Sequence, residues 1–248
     1  MFIRLSPKLS LQGVVAAALL FTAIDSSLVA AQSVTLRTPP QSARVYARDG
    51  SLIAELGPEV RTVVSMKSLP AYVPRAFVAV EDKRFYEHQG VDPLGVARAI
   101  KKNLEGSREG ASTITQQLIG NMFPETVNRR EQTVERKVRE ARLAVELEQR
   151  YGKDRILEAY LNEIYFGHGW YGIESAAQHY FGKPAAKLNI EETAMLAALP
   201  KGAGVYSPKI NAQRALERRN LVLGIMAENG VITAAQATAA RQRPIRLA

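Results

Sequence analysis

From Pro74 to the C-terminus the chain is cut at short intervals by helix-starting and helix-stopping residues, and this punctuation confines it to a mainly α fold. Pro74 can sit at the first position of a helix over Arg75 to His88, which Gly90 stops. Asp92-Pro93 offers an N-cap followed by proline at N1 for a second helix ending near Gly106. Further helices are expected over Thr113 to Met122, about Glu131 to Arg150, Arg155 to Phe166 and Ile173 to Tyr180. Glu191 to Leu199, Ala212 to Glu228 and a short segment from Thr233 complete the series. Ahead of them, Arg44 to Ala47 and Ser51 to Glu55 flank Asp49-Gly50, a dipeptide that tolerates the positive φ of a hairpin turn. One helical domain over 44–248, opened by a small β-hairpin, is the expected architecture.

The first 31 residues read as an export segment. Arg4 and Lys8 precede an apolar run from Gly13 to Ile24, and Val29-Ala30-Ala31 supplies small residues before Gln32. A retained anchor over Leu11 to Ala31 is the alternative, and Asp25, Ser26 and Ser27, which interrupt it, favour the cleaved signal. Both readings put the body of the protein outside the cytoplasm, in the periplasm or on the outer face of the cytoplasmic membrane. Residues 32–43, with Pro39-Pro40, read as a linker. The net charge of +9 suits anionic partners. Export disfavours nucleic acid among these and leaves anionic headgroups of a membrane surface and diphosphates.

Three stretches carry residues suited to chemistry. On the helix expected after Pro74, Phe77, Glu81, Phe85 and His88 recur on one stripe, so Glu81 is a carboxylate between two phenylalanines. Such a group is either neutralised by a partner, with Arg84 or His88 within reach, or held in a cleft with a shifted pKa. Gly110 to Gln117 is a dense polar run entering a helix. Thr113 with Gln116 forms a capping box, and Ser112, Thr115 and Gln117 remain as donors and acceptors for hydroxyl-rich or phosphate ligands. In Arg136-Lys137-Val138-Arg139-Glu140, Glu140 can pair within its own helix on a solvated face. Between Arg129 and Arg155, however, nine Lys or Arg stand against six Asp or Glu, a surplus that suits a diphosphate.

Other chemistries are disfavoured by the pattern. Gly167-His168-Gly169-Trp170-Tyr171-Gly172 has dinucleotide-loop spacing but follows a helix, and no Asp occurs after Asp154. No Asp-x-Asp pair exists, and His88, His168 and His179 lack zinc-ligand spacing.

In this order the motifs resemble the peptidoglycan glycosyltransferase family, the lysozyme-like domains of class A penicillin-binding proteins and monofunctional transglycosylases. The matching stretches begin with Glu81-Asp82, Phe85, His88 and Gly90-Val91-Asp92-Pro93, continue through Gly110 to Gln117, and include Arg136-Lys137 and Glu140. Lys153, Ile156-Leu157, Tyr160-Leu161-Asn162, Tyr180-Phe181-Gly182-Lys183 and Arg218-Arg219 with Val222-Leu223 extend the likeness to about residue 226. The resemblance implies an inverting transfer in which a 4-hydroxyl of lipid II attacks the anomeric carbon of the growing lipid-linked glycan strand and undecaprenyl diphosphate leaves. It makes Glu81 the general base and has Glu140 assist at the sugar-diphosphate, directly or through Mg2+ or another divalent cation. Asp82, Phe85, His88, Ser112, Thr113, Gln116, Gln117, Asn121, Arg136, Lys137, Tyr160 and Asn162 fall on its substrate-binding stretches. Transpeptidases and other cell-wall synthases are the partners implied. No Ser is followed three residues later by Lys and there is no Lys-Thr-Gly, so no transpeptidase domain is expected in these residues.

The match has gaps. The family pattern has Gly-Gly-Ser-Thr where this chain has Gly110-Ala111-Ser112-Thr113, a lysine at the place of Gly120 and an arginine at that of Gln132. Its Leu-Pro-Lys-Ala-Pro stretch reads Leu199-Pro200-Lys201-Gly202-Ala203 here. Arg129 and Arg130 are the nearby cations able to replace the lost charge. These departures keep two further classes in view: a catalytically weak relative that binds lipid II or glycan beside a synthase, and a lysozyme-like glycan hydrolase.

Overall fold

Side-chain caps start five of the ten α-helices among the described residues. The computed structural model describes residues 34–49, 52–57, 60–106 and 110–248, so the expected export segment lies outside the described residues. Strands β1 (Ala43–Tyr46) and β2 (Leu52–Leu56) pair antiparallel with Ala43 opposite Leu56, around a turn whose Gly50 also lies outside them. Helices α1 (Tyr72–Glu81), α2 (Pro93–Leu104), α3 (Ile114–Met122), α4 (Val134–Arg150) and α5 (Lys153–Glu163) follow. After them come α6 (Ile173–Phe181), α7 (Ile190–Ala198), α8 (Ala203–Tyr206), α9 (Ala212–Glu228) and α10 (Ala234–Arg241). Thr113, Asn189 and Thr233 close full capping boxes with Gln116, Glu192 and Gln236, and Thr133 and Asn211 also accept a backbone N–H. Two-residue strands β3 (Val60–Arg61) and β4 (Trp170–Tyr171) add a parallel pair that the periodicity gives no sign of. Among the described residues no helix is long and apolar enough to cross a membrane.

The helices pack in two groups. α9 lies on α7 and α10, α1 lies on α7 and α9, and α3 lies on α4 and α5. Phe77 of α1 joins the groups, its ring edge-on to Tyr160 of α5 and to Phe166, all three fully buried. The end of α1 and the start of α3 therefore meet at the seam between the groups.

Two expectations need correction. The first helix ends at Glu81 rather than running to His88, because Asp82 leaves helical geometry at φ −159° and ψ 74°. Phe85 and His88 reach the core from the turns that follow, so the apolar stripe read from the sequence records burial and not a continuous helix. Residues expected to form a free linker are tied down from Thr35 onward, in one compact unit with the helices. Leu36 donates its N–H to the Tyr151 hydroxyl at 3.3 Å, and Ser42 donates its own to the Arg61 carbonyl at 3.0 Å.

Gly90 is the tightest joint in this arrangement. Its φ is +87°, and a Cβ there would stand 2.6 Å from the Val145 nitrogen in α4, while its carbonyl accepts from Thr113 Oγ1 at 2.7 Å. Gly90→Ala combines a left-handed residue with backbone overpacking, so a loss of about 2–4 kcal/mol is expected in urea unfolding. Gly152→Ala, where the added Cβ meets open space, should change stability by less than about 1 kcal/mol.

Candidate active site

An open cleft of about 600 Å³ lies between the two helix groups. Its walls come from the end of α1 (Ala79 to Glu81, then Asp82 and Lys83), from α2, and from Gly110 to Thr113 with Gln117. The far side is closed by Arg129, Pro200, Lys201 and Arg218. Glu81 is half-buried as the last residue of α1, at the negative end of the helix dipole.

Glu81 is held by a short relay from the core. Gln117 Nε2 donates to Glu81 Oε2 at 3.0 Å, and the Tyr160 hydroxyl donates to Gln117 Oε1 at 3.3 Å. Tyr160 is fully buried, and that burial pushes its phenol well above the ordinary value, so it stays protonated and keeps Gln117 in the orientation that donates to the carboxylate. Burial also raises the Glu81 pKa. The Gln117 bond and the charges of Arg218 and Lys201 pull it down, and Asp82 pushes it up again, leaving it above the usual range.

Behind Glu81, a buried polar network fixes the frame. Asp82 Oδ2 accepts from the Ile114 N–H at 3.0 Å and lies 2.9 Å from His88 Nε2. Lys153 Nζ lies 3.4 Å from the other His88 nitrogen, 4.5 Å above the Phe85 ring centre and 2.6 Å from Glu148. Thr115 donates its hydroxyl to Glu148. The polar run of the sequence is thus divided by the helical period: Ser112, Thr113 and Gln117 line the cleft, whereas Thr115 and Gln116 are buried behind it.

Glu140 is 3% exposed, so it does not lie on the solvated helix face of the simpler sequence reading. Arg136 and Lys137 occupy its two oxygens, and Lys137 Nζ also donates to Ser112 Oγ at 2.7 Å on the cleft wall. Lys137 thereby reaches the cleft-wall residue Ser112 from behind, and neither it nor Glu140 is itself among the residues that line the cleft. Other cations of this segment pair with its acids, Arg139 facing Glu131 and Arg150 facing Glu146.

Several expected binding residues carry structural contacts. Phe85 and His88 belong to the buried network, and Gln116 closes the α3 capping box. Asn162 exchanges two hydrogen bonds of 2.9 Å with the Val64 backbone. Asn121 accepts from Arg129 Nη1 at 2.7 Å beside the cleft. Conversely, sequence reading did not single out Arg98, Lys102, Lys201 or Arg218 as site residues, although they line the cleft. The signal for Arg98 and Lys102 is the basic composition alone, whereas Lys201 and Arg218 fall in stretches compared with the family pattern, and the fold collects all four from α2, the turn after α7, and α9. Arg218 is held with its guanidinium 5.7 Å from the Tyr206 ring centre.

A buried-edge carboxylate among cations is an arrangement many folds could make, and similarity to known proteins decides between them. The transglycosylase family model matches residues 49–227. The chain belongs to the transglycosylase family. Penicillin-binding protein 1A of Aquifex aeolicus is 47% identical over 210 residues, covering 84% of this chain and 28% of that protein. Penicillin-binding protein 1A of Escherichia coli is 44% identical over 207 residues, covering 83% and 24%. The crystal structure of penicillin-binding protein 1A from Haemophilus influenzae superposes with a TM-score of 0.50 at 27% identity, covering 84% of this chain and 21% of that one. The chain thus spans about a quarter of the length of these relatives, and the mainly helical transglycosylase domain is the part they share.

The raised Glu81 pKa has two consequences of known sign. Any reaction that needs Glu81 ionised should show the acidic limb of its kcat/KM above the ordinary carboxylate range. A carboxyl whose folded pKa exceeds its unfolded value stabilises the fold most below the unfolded pKa, and that contribution disappears as pH rises through the folded pKa. Glu81→Gln should therefore melt higher than the parent at pH 7, with the gap narrowing as pH falls through the raised pKa.

Proposed function

We propose that the chain is a peptidoglycan glycosyltransferase that extends glycan strands from lipid II at the outer face of the cytoplasmic membrane. The observation that carries this reading is Glu81, a carboxylate of raised pKa, oriented by Gln117 and open to a cleft with cations on its walls. Membership of the transglycosylase family and the likeness to penicillin-binding proteins 1A support the same reaction class.

In this reading the acceptor 4-hydroxyl lies against Glu81. As its oxygen attacks the anomeric carbon of the lipid-linked strand, the proton passes to the Glu81 carboxylate. The bond from that carbon to the diphosphate oxygen breaks with its electron pair, and the configuration inverts. Charge grows on the departing diphosphate, and in this reading Lys137, held behind the cleft wall on Ser112 and Glu140, helps to offset it. Glu140 therefore acts through Lys137 and Arg136. Its oxygens are already engaged, and among the described residues no group of three acidic or histidine side chains could hold a metal ion. Glu140, with both oxygens engaged by cations, does not fit as a ligand to a divalent cation.

The membrane surface is met by α2. Pro93, Leu94, Ala97, Ile100 and Leu104 fall on an arc of about a third of the helix circumference. Leu94 is 63% and Leu104 84% exposed, with Lys101 and Lys102 in the last turn. An exposed, mostly apolar arc with Lys101 within it suits an anionic lipid interface. Changing both Leu94 and Leu104 to Asp should lower binding to phosphatidylglycerol vesicles at least several-fold in co-sedimentation without changing the melting temperature by more than a few degrees.

Incubating the purified chain with lipid II and resolving products by length tests the reaction itself. Polymer is expected; unchanged lipid II would instead favour a binding relative, and shortening of preformed strands a hydrolase. Glu81→Gln should lower polymerisation by about 10²–10⁴-fold with the fold intact. A variant within threefold of the parent would remove Glu81 from the mechanism.

A further inference from the structure

Gly120 and Arg129 meet in a way that neither position suggests alone. Gly120 lies on the α3 stripe that begins with Thr113 and Gln117 at the cleft wall. A Cβ on Gly120 would stand 2.8 Å from Arg129 Cδ and 3.0 Å from its Cγ, so the arginine stem occupies the space a side chain would need. Gly120 is buried although α3 is short, and this stem supplies part of the cover. Nη1 of Arg129 is fixed on Asn121 Oδ1, one residue further along α3, and Arg129 itself lines the cleft.

The segment that delivers Arg129 is ordered. Val127 is fully buried, its N–H bonded to the Phe123 carbonyl at 2.8 Å, and the Glu131 N–H closes a turn onto Asn128 at 3.0 Å. Among the described residues no carboxylate lies within ion-pair distance of Arg129, and its hydrogen-bond partner Asn121 is neutral. The guanidinium thus keeps its full charge and most of its planar donor fork, in the geometry that grips phosphate oxygens in pairs. Arg130, which the sequence offers equally, is not among the cleft-lining residues and uses its N–H on Asn128.

We infer that Gly120 and Arg129 form one diphosphate-binding unit: the glycine is a seat for the arginine stem, and the stem aims the guanidinium at the diphosphate of the lipid-linked sugar. This rests on the glycosyltransferase reading and deepens it. It also alters the meaning of Gly120. A lysine at that position would not restore a missing charge, because it would displace the one already there.

The test is a double-mutant cycle on the full chain, with affinity for inorganic diphosphate read by calorimetry and KM for lipid II read alongside. Arg129→Gln is expected to weaken diphosphate about tenfold and to raise KM for lipid II in parallel, since one charge-assisted contact is lost. Gly120→Ala should weaken it to a similar degree while melting no lower than a few degrees below the parent. The double variant should be no worse than Arg129→Gln alone, because both changes remove the same contact. Equal affinity in Arg129→Gln and the parent overturns the proposal. Additive losses in the double variant, or an unaffected Gly120→Ala, overturn the seat. Loss of phosphatidylglycerol vesicle binding with diphosphate affinity intact would assign Arg129 to lipid headgroups and equally overturn it. If the parent binds diphosphate through Arg129 but forms no polymer, the glycosyltransferase reading fails, and Gly120 with Arg129 remains a diphosphate-binding unit without the transfer reaction.

Discussion

A single oxygen of Asp82, placed between the Ile114 N–H and His88 Nε2, joins the end of α1 to the start of α3. The carboxylate sits at a helix N-terminus, where unpaired N–H groups and the helix dipole both favour negative charge. Its position sets the register of everything around it. Glu81 precedes Asp82 by one residue and Gln117 follows Ile114 by three, so closing this one junction places Gln117 Nε2 on Glu81. The Thr113 hydroxyl on the Gly90 carbonyl, and Gly90 pressed against α4, lock the same joint from the other side.

The frame explains why Glu81 is both costly and useful. Its carboxylate faces a cleft, but burial and the negative end of α1 oppose its ionisation. Gln117, Arg218 and Lys201 return part of that stabilisation, from a helix, a helix and a turn that are distant in sequence. The result is a carboxyl that holds its proton more tightly than a free glutamate and still finds compensating charge when ionised. The nearby cations divide by role. Lys137 is carried by Glu140, Arg129 is seated on Gly120, and Arg218 is held with its guanidinium on Tyr206. Each arrangement fixes a long, flexible side chain before ligand arrives, which lowers the entropy lost on binding.

Capping chemistry was the most legible part of the chain. The Thr113–Gln116 box, the helix from Ala212 to Glu228 and the mainly α class could be read directly, because caps and breakers act over three or four residues. The first helix was misread for a physical reason. Hydrophobic periodicity reports which residues are buried, and Phe85 and His88 are buried in the same core from turns outside the helix. Nothing local announces that Asp82 will leave the helix to meet two donors. Glu140 resembles a surface ion pair for a similar reason, since its spacing to Arg136 and Lys137 is that of any exposed helix and only the tertiary fold buries it. The seat at Gly120 was least legible of all. A glycine whose missing Cβ is filled by an arginine nine residues later carries no pattern until the loop between them is folded.

The central claim is that the fold raises the proton affinity of Glu81 and that Gln117 moderates it. Carbon-13 NMR of side-chain carboxyls, followed against pH and assigned by loss of the signal in Glu81→Gln, measures this without reference to any substrate. The account expects Glu81 to titrate above the ordinary glutamate value, and to move higher still in Gln117→Ala, where the bond that favours the ionised form is gone. A Glu81 that titrates at or below the ordinary value, unmoved by the loss of Gln117, would contradict it.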